Sequence, residues 1–340
     1  MARHFNTTGI HITAGISPCA YHCRYCQLAF RKTARFGTDR FIAVANRFLE
    51  YQAKKGEKEF EVSQWMGYTY DLNLRDFANK LDLYRRSGND VKLILLGGVR
   101  HMPDEELEKW FIDRKALNLE RVVASYYGYG ETHDYWNNKK GNFAYLHHAQ
   151  KIASKVGFNN GQRILLIRST LSQIERLLDS LDEIGESVTE RVAYPLFYSG
   201  LARRIENERV TMEQLDNQPV RVRSIYRQDK DRWKSEKEWI EYARNDGNTG
   251  EDSYIKLNLT DENIEHVEAM SCEEIIDNLT ARTRAAYAKV PSRAELAEKY
   301  SDPDNEKIYM FMWDMECLWL DRYLRKHPMQ FERDLTHFGR

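Results

Sequence analysis

Short apolar runs recur along the first part of the chain, and each is followed by a longer stretch in which apolar positions have helical spacing. The runs have the length and the β-branched or aromatic content typical of buried strands. They cover residues 9–16, 60–66, 91–96, 121–126, 162–168 and 191–196. The alternation of the two patterns predicts a series of strand–helix units.

The stretches between these runs predict amphipathic helices. In the first of them, Phe41, Val44 and Phe48 fall on one face, as expected for a helix that buries one side. The predicted helices cover residues 41–54, 71–84, 141–156 and 171–184, and another begins at Asp104. Because parallel strands need crossover connections, this order predicts the α/β class with a parallel sheet. Closure of the sheet does not follow from the pattern.

The alternation ends near residue 200, and the chain continues as a charged and mostly helical region. We therefore divide the chain into residues 1–200 and residues 201–340. Basic residues are dense in residues 221–244, but acidic residues interleave with them, which favours a solvated helical face. The second part contains four tryptophans that are predicted packing anchors, Trp233, Trp239, Trp313 and Trp319.

The charge balance is nearly even. Lys and Arg number 51 against 52 Asp and Glu, for a formal net charge of -1, which argues against nucleic acid or an anionic membrane as the main partner. No run approaches the roughly 18 apolar residues of a membrane span, and the N-terminus lacks the apolar core of a secretory signal. We therefore expect a cytoplasmic protein without a membrane partner.

The cysteines carry the most specific chemical pattern. Three of the 5 cysteines, Cys19, Cys23 and Cys26, follow the first predicted strand, and this grouping suits metal ligation better than disulfides. Their C-x3-C-x2-C spacing supplies three thiolates to an iron–sulfur cubane and leaves one iron free for a small molecule. There are two alternatives. One is a structural zinc site, which needs a fourth ligand that His22 is too near to supply easily. The other is three unrelated buried cysteines.

This spacing, with an aromatic residue before the last cysteine, resembles the signature of the radical S-adenosylmethionine (radical SAM) superfamily. The resemblance covers about residues 9–200. It implies a partial (β/α)6 TIM-type barrel with a mostly helical C-terminal extension. It also implies a [4Fe-4S] cluster on Cys19, Cys23 and Cys26, with S-adenosyl-L-methionine as the second cofactor. Tyr25 fills the aromatic position, which in the superfamily packs beside the adenine.

A second stretch, residues 122–143, resembles the fourth-strand segment of the peptide- and cofactor-modifying members. By this resemblance Ser125, at the strand end, helps to hold the methionine or ribose part of S-adenosylmethionine. His133 and Asp134 match a His-Asp pair of the same segment, and a turn or helix-capping pair is the alternative. Arg168, expected at the end of the fifth strand, is a candidate partner for the methionine carboxylate, with a surface salt bridge as the alternative.

The second strand departs from the superfamily pattern. Its end usually reads Gly-Gly-Glu, whose backbone meets the methionine amino group, whereas here the matching residues are Trp65, Met66, Gly67 and Tyr68. Because backbone groups make that contact, Met66 and Gly67 remain candidate cofactor contacts.

The resemblance also implies the chemistry. In the superfamily, an electron from an external donor such as flavodoxin or ferredoxin splits S-adenosylmethionine, and the resulting 5′-deoxyadenosyl radical abstracts a hydrogen atom from the substrate. An oxygen-sensitive enzyme acting on a small molecule or a peptide is therefore expected. The alternatives are a sensory protein that binds the cluster and S-adenosylmethionine, and a radical enzyme that modifies nucleic acid.

The reaction outcome stays open among rearrangement, epimerisation, methylation and ring formation. Only Cys272 and Cys317 lie outside the cysteine loop, too few for a second cubane, so a single-cluster enzyme is expected. An epimerase needs a protein hydrogen-atom donor. Cys272 is the candidate, because it follows Ser271 in what reads as the first turn of a helix, and a half-buried structural cysteine is the alternative. Cys317 lies in an apolar helical face and is predicted to pack.

Overall fold

The computed structural model describes residues 5–16, 19–27, 33–56, 58–67, 72–245 and 254–327. All of the predicted strands are present, with ends that differ from the predicted ones by a few residues. They are β1 (Gly9–Gly15), β2 (Glu61–Gly67), β3 (Leu93–Leu95), β4 (Arg121–Tyr126), β5 (Asn159–Leu166) and β6 (Val188–Pro195). The predicted start of the second helix, Asp71, lies outside the described residues.

The predicted helices are present between the strands. They are α1 (Gly37–Lys55), α2 (Leu74–Arg86), α3 (Asp104–Lys115), α5 (Asn142–Lys155) and α6 (Ile174–Asp182). One short helix, α4 (Glu131–Asn137), precedes α5 and was not predicted. The fifth strand was predicted to end at Arg168 and the next helix to begin at Leu171. Residues Arg168–Gln173 instead form a 3-10 helix.

The strands form parallel sheets in chain order. β1 pairs with β2, with Gly9 opposite Glu61 and Gly15 opposite Gly67, and the second sheet has the order β3-β4-β5-β6. Within the described residues, no ladder of hydrogen bonds joins β2 to β3 or closes the ring. Parallel strands in chain order with helical crossovers confirm the predicted α/β class and the incomplete barrel.

The C-terminal part contributes an unexpected strand to this barrel. β8 (Tyr254–Asn258) lies parallel to β1 on the side away from β2, with Gly9 opposite Tyr254 and Thr13 opposite Asn258. The Thr13 hydroxyl donates to Oδ1 of Asn258 (3.0 Å). Ile255 and Leu257 alternate with more exposed residues, so the strand buries one face as its sequence requires. The edge of β1 is covered by this strand.

One apolar core joins the two sheets and their helices. The predicted inner face of α1 is buried completely at Phe41, Val44 and Phe48. The same core takes in Trp233 and Ile255 from beyond residue 200. The division at residue 200 therefore stays a prediction about organisation, since the main core is built from both sides of it.

The remaining elements are mostly helical, as predicted. A second apolar core forms among them around Trp239 and Trp319. Within it the fully buried Glu236 accepts from the Trp319 indole (2.7 Å) and pairs with Arg322. These elements are α7 (Met212–Asp216), α8 (Val220–Arg223), β7 (Lys234–Ser235), α9 (Glu236–Asn245), α10 (Ile264–Ala269), α11 (Cys272–Tyr287), α12 (Arg293–Lys299), β9 (Ile308–Tyr309) and α13 (Met312–Lys326).

In the part of the chain that the structure describes, none of the helices combines the length and the apolar character that a membrane crossing requires.

Candidate functional site

The three-cysteine loop lies at the carboxyl edge of the sheets, directly after β1. Its backbone is tied to the segments that follow three other strands. The Ala20 N–H donates to the Gly98 carbonyl after β3 (3.0 Å), and the Arg24 N–H donates to the Trp136 carbonyl in α4 (2.9 Å). The Leu201 N–H, after β6, donates to the Cys26 carbonyl (2.8 Å). The barrel therefore holds the loop where the chemistry of parallel α/β sheets is found.

Gly200 allows the closest of these contacts. Its φ of +52° lies in the left-handed region, and a Cβ at this position would collide with the carbonyl oxygens of Cys26 and Gln27. Only glycine combines this conformation with such an approach of two backbones. The sequence contains this glycine, but nothing near it in the chain indicates that it faces the cysteine loop.

The thiols themselves are partly buried. Burial raises the pKa of the Cys23 thiol to about 12; the Tyr25 hydroxyl lowers it, and the neighbouring Cys26 and Cys19 raise it further. These charge interactions place the sulfurs of Cys19 and Cys26 within electrostatic range of Cys23.

The donor set fits an iron–sulfur cluster, because three thiols on one anchored loop are the usual protein ligands of such a cluster. Over the described residues, no three His, Cys, Asp or Glu side chains converge on one point as a single metal ion would require. In a cubane each thiolate binds a different iron, so the three sulfurs do not need to converge. The Cys23 thiol donates to Oδ1 of Asn137 (3.5 Å).

Tyr25 is buried beside the thiols and stacks on a residue that the sequence did not single out. The Tyr25 and Tyr127 ring centroids are 3.7 Å apart, with 23° between the ring planes. The Tyr25 hydroxyl donates to Oδ1 of Asn137 (3.2 Å). Burial raises the pKa of both tyrosines well above the ordinary value, so both remain neutral. The contact of Tyr25 with adenine stays a prediction.

Ser125 belongs to the same group of side chains. It precedes the last residue of β4 and lies opposite Arg163 of β5. Burial raises the pKa of Tyr127 first, and hydrogen bonds with the Tyr25 and Ser125 hydroxyls act in the opposite direction. Through Tyr127 the structure thus brings Ser125 and Tyr25, which are a hundred positions apart in the chain, into one arrangement next to Cys23.

The His133–Asp134 pair divides into two roles. Both carboxylate oxygens of Asp134 accept backbone N–H groups at the start of α5, from Gly141 (2.6 Å) and Phe143 (2.8 Å). The capping alternative is therefore confirmed for Asp134. His133 is completely buried, and its Nδ1 accepts the Tyr127 N–H (3.2 Å). Burial lowers the pKa of His133 to about 3, so the ring is neutral.

Met66 and Gly67 end β2 at the same edge of the barrel. The Met66 N–H donates to the Tyr84 hydroxyl (3.0 Å), and the Gly67 carbonyl accepts the Ile16 N–H (3.1 Å). A Cβ at Gly67 would collide with the Trp65 ring. These two backbone groups are already paired within the protein, and a contact of this strand end with a cofactor stays a prediction.

Arg168 does not end β5, because that strand stops at Leu166. It begins the 3-10 helix that follows, and its guanidinium lies half exposed, 4.0 Å from the Glu208 carboxylate. This is the surface salt bridge that was the alternative reading. A contact with a cofactor carboxylate stays a prediction that would require Arg168 to leave Glu208.

An open cleft adjoins the cysteine loop. Its volume is about 500 Å³, within the range of sites for small ligands. The segments after β4, β5 and β6 supply its walls, with two carboxylates, two aromatic rings, two hydroxyls and an amide: Glu131, Thr132, Tyr135, Trp136, Ser169, Gln173 and Glu208. Arg24 of the cysteine loop lies over the Tyr135 ring at 4.3 Å, so the cleft and the loop share a border.

Cys272 lies elsewhere. It begins α11, with Ser271 as N-cap, as the sequence predicted. Burial raises the pKa of its thiol, and the charged groups that act on it are Glu273 of its own helix and Arg47, Glu50 and Lys54 of α1. The three α1 residues occupy the second half of that helix, which runs away from the cysteine loop. The structure therefore does not bring Cys272 to the loop, and its role as hydrogen-atom donor stays a prediction.

No protein-family model matches the chain, and no curated protein matches it. Among solved structures, Streptococcus suis SuiB bound to the precursor peptide SuiA is similar at 16% identity and a TM-score of 0.35, over 56% of this chain and 40% of SuiB. The chain thus matches well under half of SuiB.

Two other structures match along nearly the whole chain. One of them is a radical SAM enzyme. It is coproporphyrinogen III oxidase (HemN) from Escherichia coli, with 10% identity and a TM-score of 0.44, over 94% of this chain and 91% of HemN. The other is anSMEcpe with bound AdoMet, with 11% identity and a TM-score of 0.45, over 97% of this chain and 99% of that chain.

Proposed function

We propose that this chain is a radical SAM enzyme that holds one [4Fe-4S] cluster through Cys19, Cys23 and Cys26. The observation that carries the proposal is the C-x3-C-x2-C loop, tied to the carboxyl edge of an incomplete parallel barrel by backbone bonds to Gly98, Trp136 and Leu201. A zinc site is a poorer explanation, because it needs a fourth ligand, and His22 of the loop is adjacent to Cys23 in the chain and too near to supply it easily.

When bound, the cluster would supply the electron that splits S-adenosylmethionine into methionine and a 5′-deoxyadenosyl radical. The chain's own residues would bind and orient. Tyr25 would pack on the adenine, and Ser125 would hold the ribose or the methionine. Met66, Gly67 and Arg168 are the remaining candidate contacts for the methionine end. The electron would come from an external donor such as flavodoxin or ferredoxin.

We propose a single cluster. Cys272 and Cys317 are the thiols outside the loop, and they belong to two different apolar cores. Cys317 is 2% exposed, and burial raises the pKa of its thiol far above the ordinary range. A cubane needs several thiolates together, so these two cannot form a second one.

The substrate would be a small molecule or a peptide that enters through the cleft of about 500 Å³. Nucleic acid is disfavoured, because Arg221, one of the basic residues after position 200, pairs with Asp179 and Asp182. If the reaction is an epimerisation that uses Cys272, Cys272→Ala assayed in deuterated water should lose solvent deuterium from the product. Unchanged labelling would remove Cys272 from the mechanism.

The first experiment is anaerobic reconstitution with iron and sulfide. We expect about four irons and four sulfides per chain, and loss of both when Cys19, Cys23 and Cys26 are replaced by Ala. The matched control is Cys317→Ala, which should keep the full iron content. A full cluster in the triple variant, or one zinc in the wild type, would contradict the assignment.

The second experiment adds dithionite and S-adenosylmethionine to the reconstituted protein and measures 5′-deoxyadenosine by chromatography. Slow formation without substrate is expected, because this cleavage requires only the cluster and the cofactor. A protein that binds both but never cleaves the cofactor, with any substrate mixture, would be a sensor instead of an enzyme.

A further inference from the structure

A buried polar chain leads from the barrel interior to Cys23. Its members are His133, Asn137 and Asn142, all of them at most 3% exposed. Buried polar groups of this kind are normally paired, and each unpaired one is costly. The positions of the polar hydrogen atoms on these three side chains therefore follow from which of their nitrogen and oxygen atoms have hydrogen-bond partners.

The proton of His133 has only one possible position. Nδ1 faces the Tyr127 backbone N–H (3.2 Å), and a backbone nitrogen can only donate, so Nδ1 is an acceptor. A neutral imidazole carries one proton, which must then be on Nε2. Burial lowers the pKa of His133 to about 3, and the ring is indeed neutral.

This proton has no acceptor in the present arrangement. Nε2 lies 2.9 Å from Nδ2 of Asn137 and 3.1 Å from Nδ2 of Asn142, and amide nitrogens only donate. Rotation of Asn142 by 180° would supply an oxygen to Nε2, yet the shorter donor–donor contact with Asn137 would remain. Only rotation of the Asn137 amide removes it, and such rotation exchanges two groups of nearly equal shape.

What opposes that rotation is the hydrogen of Cys23. Oδ1 of Asn137 accepts from the Cys23 thiol (3.5 Å) and from the Tyr25 hydroxyl (3.2 Å). Rotation would place an N–H against the S–H, and it would give up the bond from Nδ2 to the His133 carbonyl (3.2 Å). A cysteine that ligates a metal is a thiolate, however, and accepts hydrogen bonds.

We propose that Asn137 is a positioning residue whose amide donates an N–H to the Cys23 sulfur when that sulfur ligates the cluster, while its oxygen accepts the Nε2 proton of His133. The inference rests on the proposed function. Ligation turns Cys23 from a donor into an acceptor, so one rotation of the amide gives the Cys23 sulfur a donor and His133 Nε2 an acceptor, in exchange for the bond to the His133 carbonyl. Hydrogen bonds to cluster sulfurs favour the more negative, reduced cluster and set its reduction potential.

The test compares Asn137→Leu with Asn142→Leu in the reconstituted protein. Leu has the same number and branching of side-chain heavy atoms as Asn and no hydrogen-bond donor. Asn142 is the matched control, because it is equally buried and contacts the same His133 nitrogen, while its other contact is with His101 and not with Cys23. Iron content and thermal unfolding are measured for both variants, and the midpoint potential is measured by redox titration followed by electron paramagnetic resonance.

Asn137→Leu should lower the reduced-to-oxidised ratio at a fixed potential at least tenfold, which is a midpoint lower by about 59 mV for one electron. Asn142→Leu should keep the wild-type midpoint. A wild-type midpoint in Asn137→Leu, or the same shift in both variants, would overturn the inference while leaving the cluster assignment intact. If the wild type assembles no cluster, the proposed function fails, and this inference fails with it.

A second measurement on the wild type tests the inference even if a variant does not fold or does not hold iron. The protein is labelled with ¹⁵N-asparagine, and the reduced cluster is studied by pulsed electron paramagnetic resonance. A ¹⁵N coupling is expected, because the Asn137 nitrogen would lie within hydrogen-bond distance of a ligand sulfur. Absence of this coupling in a protein with a full cluster would overturn the inference.

Discussion

Replacement of Gly200 by Ala should release the three-cysteine loop from the barrel. The added Cβ would collide with the carbonyl oxygens of Cys26 and Gln27. The collision would break the bond from the Leu201 N–H to the Cys26 carbonyl, which is 2.8 Å long here. We therefore expect both a loss of stability and a loss of bound iron.

The size of the effect can be divided into two contributions. A non-glycine residue in the left-handed region costs about 1–2 kcal/mol, and the less flexible unfolded chain of Ala returns about 0.4–1 kcal/mol of this. The broken hydrogen bond adds about 1 kcal/mol. The sum is a decrease of about 2 kcal/mol in the free energy of unfolding.

Gly185→Ala is the matched control. Gly185 also has a positive φ, of +84°, but a Cβ there meets no atom within 4 Å. It should therefore show the cost of conformation alone, about 1 kcal/mol, and bind iron normally. The assays are urea unfolding and the iron content after anaerobic reconstitution and desalting. Equal stability and equal iron in the two variants would refute the role given to Gly200.

Three further predictions concern the site. Ser125→Ala should weaken S-adenosylmethionine binding by about 0.5–1.5 kcal/mol, the net value of one hydrogen bond, without changing the iron content. Arg168→Ala should weaken S-adenosylmethionine binding more, if the Arg168 guanidinium leaves Glu208 for the cofactor carboxylate. Binding is measured by calorimetry, and an unchanged affinity in either variant would remove the substituted residue from the site. The pKa of His133, about 3, lies below the value near 6.5 of an unfolded histidine, so the unfolded chain takes up a proton first as the pH falls. The contribution of the neutral His133 to the free energy of unfolding is therefore complete above pH 6.5 and should fall by about 1.4 kcal/mol per pH unit below it. Urea unfolding of His133→Phe between pH 6.5 and 5 should lack this slope. An equal slope in the wild type and the variant would contradict the low pKa given to His133.

The hydrogen-bonded group around Cys23 connects these predictions. Ser125, Tyr25 and Cys23 were candidates from sequence motifs, and Tyr127 and Asn137 join them in the structure. The candidate cofactor contacts and the candidate cluster ligand therefore belong to one group of buried and partly buried side chains. A substitution at one of them is expected to affect the others, and variants here should be compared in pairs and not assumed to add.

The local features of the protein follow from its sequence. Strand and helix periodicities are properties of neighbouring residues, and they predicted β1 to β6, the face of α1 and the helix start at Cys272. The cysteine motif is local as well, because its ligands lie on one short loop. The capping role of Asp134 could also be stated, as an alternative, from residues close to it in the chain.

Contacts between distant segments of the chain depend on the three-dimensional fold. The pairing of β8 with β1 joins residues more than two hundred positions apart, and a short alternating run does not record the strand beside which it will lie. The approach of Gly200 to Cys26 and the stacking of Tyr127 on Tyr25 likewise depend on the fold. Both occur because the carboxyl ends of several parallel strands lie at the same edge of the barrel. Periodicity reports which face of an element is buried, whereas these contacts depend on where the whole barrel places each end.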